Sequence, residues 1–219
     1  MGIMKRSILA FFCVVIAVSA FFAQEKPDAL KLYRHGRDLE AAGRVEDAKV
    51  SYGEAIEVCK LELTENPKNI EASTIYGWAL VRTARYQEAV GVCVEALKVS
   101  PDARIVETLA ESYFYLSNYK ESLKYMEKYV DAAPRGERVS TAYFFMGEIY
   151  RLSKQFNRAD IAYSAAVHLE PSISLWWFRL GGARENVGDK KGAQDAYQRA
   201  IKLRPDYKEA TDGLNRVRA

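Results

Sequence analysis

The side chains best able to hold a metal or move a proton are few. His35 and His168 are the only histidines. His35 falls at a packing position of one helical pattern and His168 late in another. Neither has a carboxylate or cysteine at metal-ligand spacing. Gly188-Asp189-Lys190-Lys191-Gly192 lacks the spacing, and the Ser or Thr, of a phosphate-cradling loop. Glu107 and Glu111 stand one helical turn apart, which reads as a solvated face rather than an acid–base pair. Ser and Thr are scattered with no base in register. These residues point to no catalysis, no metal and no cofactor.

The cysteines bear on compartment. Cys13 lies in the apolar start of the chain, while Cys59 and Cys93 each sit inside an apolar helical pattern. In an exported protein the last two could pair. Two buried small hydrophobes is the preferred reading.

The 219 residues are 49% apolar and 28% charged, the balance of a globular protein and too apolar for disorder. A formal charge of +3 gives no field strong enough to hold a nucleic-acid backbone, so no nucleic-acid partner is expected. Residues 1–23 read as a secretory signal peptide: Lys5 and Arg6 form the basic region and Ile8–Val18 the apolar one. Cleavage after Ala20 or after Ala23 both fit, the latter giving the more polar start. An uncleaved anchor is the lesser reading, since the apolar stretch is at the short limit for a bilayer. Phe11 and Phe12 before Cys13 argue against lipidation. Removing the signal leaves 30 basic side chains against 29 acidic. The expected location is therefore periplasmic or otherwise extracytoplasmic, with no stable membrane span after cleavage.

Prolines at 67, 101, 134, 171 and 205 recur at intervals of 34, 33, 37 and 34 residues. Such a period signals stacked supersecondary units. Small residues keep register with it: Gly36, Gly77, Ala110, Gly147 and Gly181 form one column, and Ala48, Ala89, Ser122, Ala159 and Ala193 a second. A bulky column follows at Tyr52, Cys93, Met126, Tyr163 and Tyr197. A third small column is Ala55, Ala96, Tyr129, Ala166 and Ala200. Apolar spacing of i, i+3, i+4 and i+7 makes each half of a unit a helix, and a short polar joint makes the halves antiparallel.

These columns resemble the tetratricopeptide repeat. Five units match: 29–62, with the second helix extended to about 66, then 70–103, 103–136, 140–173 and 174–207. An amphipathic cap over 208–219 follows, with Ala210, Leu214 and Val217 on its apolar side. The resemblance implies an all-α, right-handed α-solenoid over residues 24–219, built of five helix hairpins plus the capping helix. Tyr129 stands where a small residue is expected, so the third junction must splay or repack. Lys190 and Arg184 replace apolar residues in the last unit.

The resemblance further implies that the first helices line a concave groove that binds a protein or peptide partner. The residues it places there are Tyr33, Arg37, Trp78, Arg82, Glu111, Phe114, Tyr115, Phe144, Glu148, Arg151, Phe178 and Arg179, with Arg34 and Phe145 beside them. No pair matches the Lys and Asn of the family's dicarboxylate clamp, so chaperone tails are disfavoured. The expectation is a non-catalytic scaffold in the cell envelope. A carrier of lipid or another small hydrophobic ligand in an envelope transport or assembly system is the alternative, and self-association through the last helix is a third use.

Overall fold

The structure, a computed structural model, describes residues 27–219; the signal peptide expected over 1–23 lies outside them. Among the described residues there are eleven helices and no strand. They are α1 (Ala29–Ala41), α2 (Val45–Glu65), α3 (Ile70–Arg82), α4 (Tyr86–Val99), α5 (Ala103–Tyr115), α6 (Tyr119–Ala132), α7 (Val139–Leu152), α8 (Phe156–Leu169), α9 (Ser174–Val187), α10 (Lys190–Leu203) and α11 (Lys208–Arg218). None of them is long and apolar enough to cross a membrane.

Each hairpin turn uses the same device. One residue adopts a left-handed conformation: Gly43, Ala84, Ser117, Lys154 and Gly188 in order. Around it the backbone closes a reverse-turn pair of hydrogen bonds. Arg44 N donates to Leu39 O at 2.9 Å and Gly43 N to Glu40 O at 3.0 Å; the other four turns repeat this. The pattern is the Schellman motif, which satisfies the last carbonyls of the first helix. Asp and Asn side chains cap five helices, two of them directly after a hairpin turn. Asp28, Asn69, Asp102, Asn118 and Asp189 each accept a backbone N–H of the first turn.

Packing follows the small and large columns. The Tyr52, Tyr163 and Tyr197 rings lie against Gly36, Gly147 and Gly181, where a β-carbon would come within 2.5–2.6 Å of ring carbon. Gly77 faces the smaller Cys93, and its β-carbon would sit at 3.3 Å from the sulfur. Ser122 occupies its small column by donating its hydroxyl to Ala110 O at 2.8 Å, so its polar atom is satisfied in the buried interface. Ala210, Leu214 and Val217 of α11 are buried against α10 and close the C-terminal end.

The junction between the third and fourth hairpins differs. α6 and α7 touch less extensively than any other consecutive pair of helices. Tyr129 is buried there, and the 133–138 connection folds over it. Its hydroxyl accepts the Arg138 backbone N–H at 3.3 Å. Gly136 passes so close that a β-carbon would lie 2.5 Å from that hydroxyl. The chain has thus used the longer proline interval to cover an oversized side chain.

Candidate functional site

The first helices adjoin one another along the stack: α1 meets α3, α3 meets α5, α5 meets α7, and α9 meets α11. The second helices make no comparable contacts with each other. The first helices therefore form the inner, tighter wall. Two adjoining hollows lie on it, of about 470 and 490 Å³. Both are lined by Tyr33, Arg37, Trp78, Glu107, Glu137 and Arg138. The first reaches Arg82, Glu111, Glu170, Ile173 and Trp176, and the second reaches Arg34, Glu71 and Arg104.

Of the residues expected in the groove, six line these hollows: Tyr33, Arg34, Arg37, Trp78, Arg82 and Glu111. Arg37 is exposed and Trp78 half-buried. Tyr33 is mostly buried and packs its ring 5.4 Å from Trp78 and 5.6 Å from Tyr52. Arg151, Phe178 and Arg179 line a separate hollow of about 330 Å³ near the C-terminal end. The expected single groove is divided.

Several expected contact rings are instead mortar between repeats. Phe144 stacks on Trp176 at 5.1 Å with planes 14° apart, and also meets Tyr163. Phe114 packs on Phe145 at 4.7 Å, and Phe145 itself is buried. Phe178 lies between Tyr197 and Tyr207. Each of these three rings is half-buried against a ring of the following repeat or cap, and Phe178 keeps one side on the C-terminal hollow. Tyr115 is the exception: it is exposed and stacks on Tyr86 at 4.6 Å.

The charges are also largely committed. At every junction an acid on one first helix meets an arginine on or just before the next. The pairs are Glu40–Arg82 at 3.5 Å, Glu71–Arg104 at 3.0 Å, Glu107–Arg138 at 2.7 Å, Glu148–Arg179 at 3.0 Å and Glu185–Arg216 at 2.9 Å. Glu148 is buried, accepts the Tyr163 hydroxyl and pairs with Arg151 at 2.7 Å as well. Tyr52 and Tyr197 donate to Glu40 and Glu185 at 2.8 and 2.5 Å. The acid thus links a hairpin's own tyrosine to the following repeat. Glu148, Arg151, Arg179, Arg82 and Glu111 are accordingly not the free charges expected of them.

Glu107 is the largest departure from the expected solvated face. It is only 3% exposed, and Glu111 shares its partner, Arg138, at 2.7 Å. Burial pushes the Glu107 carboxyl up to about 7; Arg138 pulls the other way and Glu111 adds to the rise. Arg138, Glu137 and Trp176 were not singled out from the sequence. The first two lie in the 133–138 connection, outside the helical period. The only signal was the proline interval of 37.

The described histidines and cysteines line neither hollow. His35 is exposed rather than packed, as is His168. Cys59 and Cys93 are free and buried, and burial pushes both thiols up to about 12. Among the described residues no three of His, Cys, Asp and Glu gather where they could hold a metal ion.

Comparison with known proteins agrees with this architecture. A family model described as anaphase-promoting complex, cyclosome, subunit 3 matches residues 48–129. The tetratricopeptide repeat model matches residues 140–173 and 177–207. The chain belongs to the tetratricopeptide-repeat family. Among curated proteins, protein O-mannosyl-transferase TMTC1 of Mus musculus is 29% identical over 123 residues. That match takes in 54% of this chain but spans only 13% of the relative's length. Among solved structures, residues 41 to the end of MamA from Desulfovibrio magneticus RS-1 align with a TM-score of 0.63 at 25% identity. They cover 84% of this chain and 99% of that one. YrrB, described as a TPR protein with an unusual peptide-binding site, aligns at 0.58 and 18% identity, covering 94% and 98%.

Proposed function

We propose that this protein is a non-catalytic interaction scaffold that holds a peptide segment of a protein partner against its inner wall, outside the cytoplasm in the cell envelope. The observation that carries the reading is the pair of hollows shared by Tyr33, Trp78 and Arg37. There two aromatic rings supply rigid contact area between charged side chains. YrrB shares only the fold with this chain, so the peptide reading rests on the hollows themselves. Their lining is open and mixed in charge, which suits a peptide better than the closed apolar pocket a lipid carrier would need. The extracytoplasmic part rests on the signal-like sequence of residues 1–23.

The test is site-specific photocrosslinking in the native cell. A benzophenone side chain placed at Arg37 should capture a protein. The same group at Ile161, an exposed position on the second helix α8, should not. Equal capture at both positions, or capture at 161 alone, defeats the inner-wall reading. N-terminal sequencing of the isolated protein should find its start at residue 21 or 24; an intact Met1 in a cytosolic fraction defeats the export reading.

A further inference from the structure

We infer that the peptide accepted here is bipolar: an acidic side chain on one flank of an apolar or aromatic anchor and a basic side chain on the other. The inference deepens the proposed function and rests on it. It comes from separating the charges of the two hollows into those already matched and those left over.

Arg82, Arg104 and Arg138 are matched by Glu40, Glu71 and the Glu107–Glu111 pair. The charged residues that remain are Arg34 and Arg37 on α1, and Glu137 and Glu170 on the facing connections. Arg34, Arg37 and Glu137 are exposed and form no ion pair with a described residue; among the described residues Glu170 accepts the Ser172 hydroxyl alone, at 2.5 Å. The leftover cations thus stand together on one wall and the leftover anions on the other. Glu107 and Glu111 share the single Arg138 guanidinium, and burial holds Glu107 toward its neutral form, so this trio is counted as matched. Both walls border the same space as Trp78, and no ion pair joins them across it among the described residues.

A ligand of one sign would match one wall and be repelled by the other. An uncharged ligand would gain only the Tyr33 and Trp78 surface. A peptide with opposite charges flanking an apolar residue satisfies both walls at once and is held in one direction, since reversing it opposes like charges.

The experiment uses a phage library of random dodecapeptides, selected on the full chain and on Trp78→Ala. Enriched peptides should carry Asp or Glu on one side of an apolar residue and Lys or Arg on the other. In synthetic copies, changing either charge to its uncharged amide analogue should weaken binding at least tenfold. Arg34→Glu with Arg37→Glu, two exposed positions without partners, should abolish the penalty for losing the peptide's acid and keep the penalty for losing its base. Enrichment of uncharged or single-sign peptides that still depend on Trp78 or Arg37 overturns the bipolar inference and leaves a peptide groove standing. Enrichment that depends on neither residue, or no enrichment at all, overturns both.

Discussion

Gly147 and Tyr163 fit each other with no atom to spare: a β-carbon on the glycine would lie 2.5 Å from two carbons of the ring. The phenol of the same tyrosine donates to Glu148, the residue after the glycine. One contact therefore sets both how closely α7 and α8 approach and where the buried carboxylate points.

Gly147→Ala is expected to cost about 1–3 kcal/mol by overpacking. Gly77→Ala, which faces Cys93 with more room, should cost less. Adding Tyr163→Met to Gly147→Ala recreates the Ala110–Met126 pairing of the third hairpin and should recover part of the loss. Urea denaturation of the parent chain, Gly147→Ala, Tyr163→Met and the double variant measures the coupling; strict additivity would show that the two positions do not share the space.

The turns give a second prediction. Ala84, Ser117 and Lys154 adopt positive φ without being glycine. A left-handed L-residue costs roughly 1–2 kcal/mol, against roughly 0.5–1 kcal/mol for the extra freedom glycine loses. Lys154→Gly should therefore stabilise the chain by about 0.5–1 kcal/mol, and Gly188→Ala should destabilise it by about 1 kcal/mol. Thermal melts of each would show it.

Rings that join repeats should behave unlike rings that are open. Phe144→Ala removes the stack on Trp176 and should cost about 2–4 kcal/mol. Tyr115→Ala removes an exposed ring and should cost about 1 kcal/mol or less. Chemical denaturation distinguishes them, and equal losses would mean that Tyr115 also carries the stack.

Glu107 predicts a pH dependence. Its carboxyl titrates near 7 in the folded chain and in the ordinary carboxylate range, near 4.3, when unfolded. The folded state binds the proton more tightly, so this group's stabilising share is complete below about pH 4. It falls as pH rises through the folded-state value and levels off above it. Glu107→Gln should flatten that slope in urea midpoints measured from pH 4.5 to 8. An unchanged slope would place the titration elsewhere.

Cys59 and Cys93 should resist a thiol reagent at pH 8 until the chain unfolds, because both are buried and held protonated. Time-resolved labelling of a Cys13→Ser chain checks this; rapid modification would show that the helices around them open readily.

The hairpins were legible because packing leaves its mark at fixed spacing. Gly181 precedes Tyr197 by the same interval that separates Gly147 from Tyr163, and only a helix pair explains both. The groove was less legible. Periodicity gives the side of a helix on which Phe144 lies but not the distance to the next helix on that side, so an open wall and a sealed joint look alike. Arg138 was invisible for another reason: it lies in a connection, where no period applies, and its partners Glu107 and Glu111 sit about thirty residues earlier. Glu107 was misjudged because a carboxylate one turn from another is usually wet, and only the approach of Arg138 makes its burial tolerable.

The sparse seam between α6 and α7 has a mechanical consequence. In a linear array, stiffness is local to each interface, and bending concentrates where the interface is thinnest. Arg37 and Trp78 lie on one side of that seam, and Arg138, Ile173 and Trp176 at or beyond it. A guest seated among them would add a strut across that seam, beside the Arg138 ion pairs and the Phe114–Phe145 contact that already cross it, so occupancy would be felt as added rigidity between the two blocks.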